Sequence, residues 1–192
     1  MSLAKPYMYS RTPGPTMVLF IAKYLSLNIE IVNAFPIKVY PEKGGVSEEY
    51  LSKFHTGKVP GLETNDGFCI YKGNAVAWLL SHLYPKSTLH GSNLREEITI
   101  LRWFTNYELH SPIMAWIQSI SVKAPSSPEI LAKLEEGCEL TVRAIEKEIQ
   151  GREFLIGETL TLADLFTVSG LARGYQYMSG ALSLFVVDGR AN

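Results

Sequence analysis

A Val59-Pro60 pair opens the short apolar run Gly61-Leu62, with Lys58 before it and Lys72-Gly73-Asn74 shortly after; these residues are the ones in this chain best suited to hold a ligand by its main chain. A proline at a strand entrance is confined to an edge or an irregular position. If its peptide bond is cis, the backbone of Val59 is left free to pair with something other than the sheet, and a peptide is one such occupant. Composition alone favours the plainer reading, a hairpin with a turn-forming proline. The other residue types with catalytic or metal-binding chemistry offer less. His55, His82, His90 and His110 show no metal-ligand spacing, and a structural or surface role is expected for each, His55 standing apart because it borders the turn. Cys69 and Cys138 are the two cysteines; without CxxC spacing they are expected to be buried, inert thiols, with no disulfide framework and no zinc site.

The elements that must position this segment are legible on both sides of it. Asn65-Asp66-Gly67 supplies the left-handed backbone of a hairpin loop, and Phe68-Cys69-Ile70-Tyr71 reads as the returning strand. Asn74 is a suitable N-cap for an apolar helix over 75–83, in which Val76, Leu79, Leu80 and Leu83 form the stripe toward the sheet. Upstream, 6–10 reads as an aromatic strand and 16–25 as a helix with Pro15 in its first position, while 29–33 alternates as a β-branched strand. This is a strand–helix–strand unit, with a right-handed crossover expected. A loop rich in proline and glycine occupies 36–47, and a short capped helix over 47–54 leads back to the turn.

Beyond a turn-rich linker at 84–91 the pattern becomes helical. One long helix, with more than one partly buried face, is expected from about 92 to the Ser111-Pro112 pair. Leu131, Leu134, Cys138, Val142, Ile145 and Ile149 sustain a second stripe, which Gly151 stops. Thr161 to Asp164 reads as a capping box, Thr161 accepting from helix N–H groups and Asp164 reaching back, for a helix to about Arg173.

Length and composition exclude several classes. A chain of 192 residues fits one domain or two small ones, and 46% hydrophobic content suits a packed protein. With 18 basic and 19 acidic residues and no run of either, nucleic-acid binding is not expected. The N-terminus lacks the pattern of a signal peptide and no apolar run approaches spanning length, so a cytoplasmic protein that does not engage a membrane is expected.

A mixed α/β half with a Val-Pro turn before a hairpin, joined to an all-helical half, resembles the cytosolic glutathione S-transferase family. The stretch from Leu51 to Ala77 and the stretch from Phe154 to Leu165 look most like the transferase-like domain of the elongation factor 1 gamma subunit and its fungal relatives. The resemblance runs from about residue 5 to about residue 175. It implies an α/β thioredoxin-like N-terminal domain over 1–84 and an all-α C-terminal domain over 92–192, with an atypical or truncated C-terminal part. The tail from Tyr175 lacks the Trp-Arg and Pro-Asn elements with which the family continues.

The resemblance further implies glutathione as co-substrate and no metal. The residue at Val59 pairs by backbone with the cysteinyl part, Pro60 is cis, and Lys58 meets the glycyl end. At the start of the third helix the family carries an acidic residue or Gln followed by Ser, which hold the γ-glutamyl group; here Lys72 and Gly73 stand there. Loss of a charged hydrogen bond of about 1.5–3 kcal/mol corresponds to roughly tenfold to a hundredfold weaker binding, unless Lys72 grips the glutamyl carboxylate instead. The amides of Gly73 and Asn74 remain available to that carboxylate. For the hydroxyl that activates the thiol, Tyr9, Ser10, Thr12 and Thr16 are at hand, Ser10 first and Thr12 second. A hydroxyl beside a helix N-terminus, with Arg11 nearby, lowers a thiol pKa. An apolar second-substrate pocket between the halves would draw on Tyr107, His110 and Met114, with Trp103 and Trp116 as further candidates, most of them expected to be core.

The function so implied is a glutathione-dependent transferase acting on a small hydrophobic electrophile. A variant is a cis/trans isomerase of fungal-type secondary metabolism, in which thiolate addition is followed by elimination. The opposing reading is a non-catalytic interaction module of the elongation factor 1 gamma type. A homodimer through the two unlike halves is expected in either case.

Overall fold

Alternation along the first strand sets up two cores. In β1 (Ala4–Met8), Ala4 and Met8 join the main core, while Tyr7 turns to the opposite face with Tyr50 and Phe54. The computed structural model describes residues 3–9, 13–36, 44–105, 107–121 and 127–182. β1 pairs in parallel with β2 (Val32–Asn33) and antiparallel with β3 (Gly61–Thr64), and β3 pairs antiparallel with β4 (Cys69–Tyr71). The sheet order is β2-β1-β3-β4. β2 is shorter than the expected 29–33 strand: Ile29 makes an isolated bridge to Ala4 and the Glu30 amide donates to the Ala4 carbonyl at 3.1 Å, but ladder pairing is confined to Val32 and Asn33.

Helix α1 (Pro13–Tyr24) starts two residues before the expected Pro15. Both prolines fit because the N–H groups of a first turn have no intrahelical acceptor. Met17, Val18 and Ile21 bury one face of α1 against α3 (Gly73–His82), whose Val76, Ala77 and Leu80 are fully buried. On the other face of the sheet, α2 (Glu48–Lys53) is capped by Ser47, whose Oγ accepts from the Tyr50 amide at 3.1 Å. Tyr50 and Phe54, four apart, reach the sheet together. A Cβ at Gly61 would stand 2.8 Å from the Phe54 ring, so glycine there lets Phe54 lie against the strand.

The helical half differs from the sequence expectation at its proline. α4 (Leu94–Thr105) is followed by α5 (Tyr107–Ser121), which runs through Pro112 instead of ending before it. A mid-helix proline forfeits one i to i−4 bond. Packing offsets that loss: Pro112 lies against Gly137 of α6 (Pro128–Ile149), where an added Cβ would be 3.7 Å from the proline Cβ. Ser127 caps α6, and Gly151, at φ 73°, follows its end.

Helix α7 (Leu162–Leu182) continues past Arg173. Gly174 is a close-contact position rather than a stop, since a Cβ there would stand 3.3 Å from Ile113 of α5. At the start of α7 the capping box is partly as expected. Asp164 reaches back to accept from the Thr161 amide at 2.8 Å, but the Thr161 hydroxyl donates to the same carboxylate instead of capping helix amides. The other Asp164 oxygen accepts from the Leu155 amide at 2.8 Å, fixing the loop that enters the helix. One apolar core runs without interruption from Met8 and Ile21 through Leu89, Ile100 and Trp103 to Ile156 and Leu162. Among the described residues, no helix is long and apolar enough to cross a membrane.

Candidate functional site

The Val59–Pro60 peptide bond is cis. Among the described residues, the Val59 main chain forms no hydrogen bond, although Pro60 is buried and β3 begins at Gly61. The turn is held from behind. The Tyr50 hydroxyl donates to the Lys58 carbonyl. Burial pushes the Tyr50 phenol up to about 12, so it stays a donor at any physiological pH.

Two pieces of main chain converge on this turn. A Cβ on Gly14, in the first turn of α1, would lie 3.1 Å from Pro60 Cδ and 3.7 Å from the Gly73 Cα. A Cβ on Gly73, at the start of α3, would lie 3.1 Å from the Gly14 Cα. The N-termini of α1 and α3 therefore both abut the cis-proline turn, and their helix dipoles give the region positive potential. Thiolates and carboxylates are the groups such a place favours.

Lys72 takes the cap position of α3 with φ 79° and ψ 124°, and its side chain makes no cap hydrogen bond. Asn74 is thus inside the first turn, not at the N-cap expected for it, because the helix begins at Gly73. Lys58 and Lys72 are exposed, and neither ammonium has a partner among the described residues. His55 is exposed in the turn leading to Lys58. Ser10 and Thr12 lie outside the described residues. Of the residues expected for a second-substrate pocket, the side chains of Tyr107 and His110 lie outside them as well, while Met114 is half-buried on α5. Trp103 is 3% exposed and belongs to the core. Trp116 lines a groove of about 470 Å³ between α5 and α6, together with Cys138, Val142 and four charged residues.

A network on the far face of the sheet was not legible in the sequence. Lys53 Nζ lies 3.0 Å from the Tyr7 hydroxyl, 2.9 Å from Glu63 and 3.0 Å from Glu49, and the Tyr7 hydroxyl donates to Glu63 at 2.8 Å. The hydrogen bond from Lys53, then that from Tyr7, holds the Glu63 carboxyl below its usual range. Hydrogen bonds to Tyr7, Glu63 and Glu49 hold the Lys53 ammonium protonated. This network clamps α2 to the sheet and so supports the turn that follows. The visible signal was the i, i+4 pair Glu49 and Lys53. Cys69 and Cys138 are free; burial raises both thiols, so neither is a ready nucleophile.

Residues 109–186 match the family model of the glutathione S-transferase C-terminal domain, so the family pattern extends past Tyr175, where the sequence resemblance fades. Elongation factor 1-gamma of Artemia salina is 28% identical over 93% of this chain and 40% of its own length. A glutathione S-transferase of Emericella nidulans is 28% identical over 91% of this chain and 64% of its own length. The chain thus spans less than two thirds of both relatives. Among solved structures, the glutathione transferase URE2P8 of Phanerochaete chrysosporium, determined with oxidized glutathione, superposes with a TM-score of 0.79 at 18% identity, covering 92% of this chain and 81% of that one. The chain therefore has the glutathione transferase fold, a thioredoxin-like half plus a helical half, and its sequence resembles the glutathione S-transferase family, with relatives among both transferases and elongation factor 1-gamma proteins.

Proposed function

We propose that this chain binds glutathione at the Val59–Pro60 turn and adds the thiolate to a small hydrophobic electrophile. The observation that carries the reading is the Val59 main chain, without a hydrogen bond among the described residues, beside a cis proline and faced by the N-termini of α1 and α3. Val59 pairs with the cysteinyl residue, the Gly73 and Asn74 amides receive the glutamyl carboxylate, and Lys58 meets the glycyl carboxylate. Ser10 or Thr12, preceding α1, hydrogen-bonds the thiolate. Tyr107, His110 and Met114 contribute to the second-substrate pocket. Where addition is reversed by elimination, the same site isomerises a conjugated olefin, the chemistry suited to fungal-type secondary metabolism. The domains are 1–84 and 92–192, and the protein is cytoplasmic.

The second reading, a non-catalytic interaction module, is supported by the elongation factor 1-gamma relatives, of which that of Artemia salina matches over 93% of this chain. Lys72 also favours it, since a cation stands where an acid would hold the ligand's ammonium group. Both readings include a homodimer. Phe68, 53% exposed, with Ile70, Trp78, Leu79 and Leu101, forms the apolar part of a groove of about 1090 Å³ that Lys72, Gly73 and Asn74 also line, and a second copy of the chain is the proposed occupant of that apolar part, beside the glutathione site.

Calorimetry with glutathione followed by a thiol-conjugation assay decides between the two. The expected dissociation constant is high micromolar to millimolar, and Lys72→Glu should tighten it roughly tenfold to a hundredfold. Absence of both binding and turnover would remove the enzyme reading and leave the interaction module.

A further inference from the structure

A cluster of titratable groups with no part in the proposed reaction sits where the two halves join. His82 closes α3, His90 lies in the connecting segment, and their rings stack with centroids 4.1 Å apart and planes at 23°. His82 Nδ1 lies 2.9 Å from the Trp78 carbonyl, so this nitrogen carries the proton; Nε2 stands 3.9 Å from Glu97 on α4. His90 bonds the Ser81 main chain, and its Nδ1 is buried with no hydrogen-bond partner among the described residues. The charges that act on His90 are those of His82 and Glu97. The neighbouring Glu96 is occupied, its carboxylate accepting from the Ser92 amide and hydroxyl at 2.8 Å each.

We propose that the His82–His90 stack is an acid-released latch that holds the connecting segment against α3. Two neutral rings can lie face to face. A proton added at His90 Nδ1 creates a buried N–H with no acceptor, and protonation of both rings sets two like charges about 4 Å apart. Glu97 compensates one positive charge, on His82. It cannot compensate a second on His90, whose ring must leave the stack to reach water. Burial and, next, the His82 charge hold His90 below the usual histidine range, in keeping with this geometry.

What the latch holds is the adjacent Leu89, fully buried in the core that spans both halves. The Leu89 carbonyl accepts from the Leu162 amide at 2.8 Å, and its own amide donates to Ser87 Oγ at 3.2 Å. Release of His90 therefore loosens Leu89 and the first turn of α7 together. Acidification acts at the seam between the halves, far in sequence from the cis-proline turn.

Hydrogen exchange on the full chain, corrected for the intrinsic pH dependence of amide exchange, tests this at about pH 7.5 and in steps down to about pH 5, because burial holds His90 below the ordinary histidine range. The Leu89 and Leu162 amides should exchange at least roughly fivefold faster at the lower pH, the lower bound given by two unit charges at this separation in a water-like dielectric. His90→Gln and His82→Gln should each abolish the increase. Glu97→Gln, which leaves the first charge uncompensated, should enlarge it. An unchanged wild-type rate, or an equal increase in both histidine variants, overturns the proposal. His82 is exposed, so its variant keeps the test decisive should His90→Gln fail to fold.

Discussion

Gly14 and Gly73 meet main chain to main chain: a Cβ on Gly73 would stand 3.1 Å from the Gly14 Cα. The glycine at 73 is therefore a steric requirement of how α1 and α3 approach each other beside Pro60, besides being a departure from the serine of the family pattern. Gly73→Ser should cost about 1–3 kcal/mol through overpacking, read as a fall in denaturation midpoint with unchanged m-value. A variant as stable as wild type would show that the helices separate easily. Restoring a glutathione contact is for this reason better attempted at Lys72 alone.

Lys72 holds φ 79°, a value disfavoured for any residue with a side chain. Lys72→Gly should relieve that strain and stabilise the fold by about 1 kcal/mol, measured by chemical denaturation. A loss of stability would mean that the lysine side chain contributes packing worth more than the strain.

Asp164 gathers three donors, the amides of Leu155 and Thr161 and the Thr161 hydroxyl, each at 2.8 Å. Asp164→Ala leaves all three unsatisfied in a buried place. It should destabilise the chain by about 3 kcal/mol or more, and thermal unfolding of the variant against wild type checks this. Glutathione affinity measured well below the melting temperature should be unaffected, because Asp164 lies in the helical half.

The Glu63 carboxyl is held below its usual range by Lys53. A carboxyl whose folded pKa is depressed contributes stability that is present above its unfolded pKa, about 4.3, and is lost as pH falls through the folded value. Glu63→Gln should therefore be less stable than wild type at neutral pH, with the difference shrinking as pH drops below about 4. Denaturation midpoints across that range test it, and a gap independent of pH would show that charge is not the cause.

The parts of the fold that are local in sequence were legible. Ser47 as a cap, the hairpin glycine at 67 and the stripe of α6 each depend on residues a few positions apart. The Val59–Pro60 turn announced itself by a proline at a strand entrance. Pro112 misled because a proline is judged by the bond it removes, whereas its packing against Gly137 comes from a different helix. Asn74 misled for a related reason: the helix starts at Gly73, where α1, α3 and Pro60 converge, with Lys72 at the cap position, and no local pattern reports that approach. The Tyr7, Lys53 and Glu63 network joins three separate elements and was likewise invisible. The direction of the Thr161 hydroxyl turned on Leu155 being the second claimant for Asp164, a relation outside the four-residue box.

The carbonyl of Leu89 receiving the Leu162 amide also bears on how the chain can be divided. The connecting segment reads as a spacer between two halves, yet Leu89 is a core residue and an end-cap for α7. A helical fragment beginning after residue 91 would enter solution with an open slot in its core and an unsatisfied helix start. Any swap of halves between relatives must carry this segment with the helical partner.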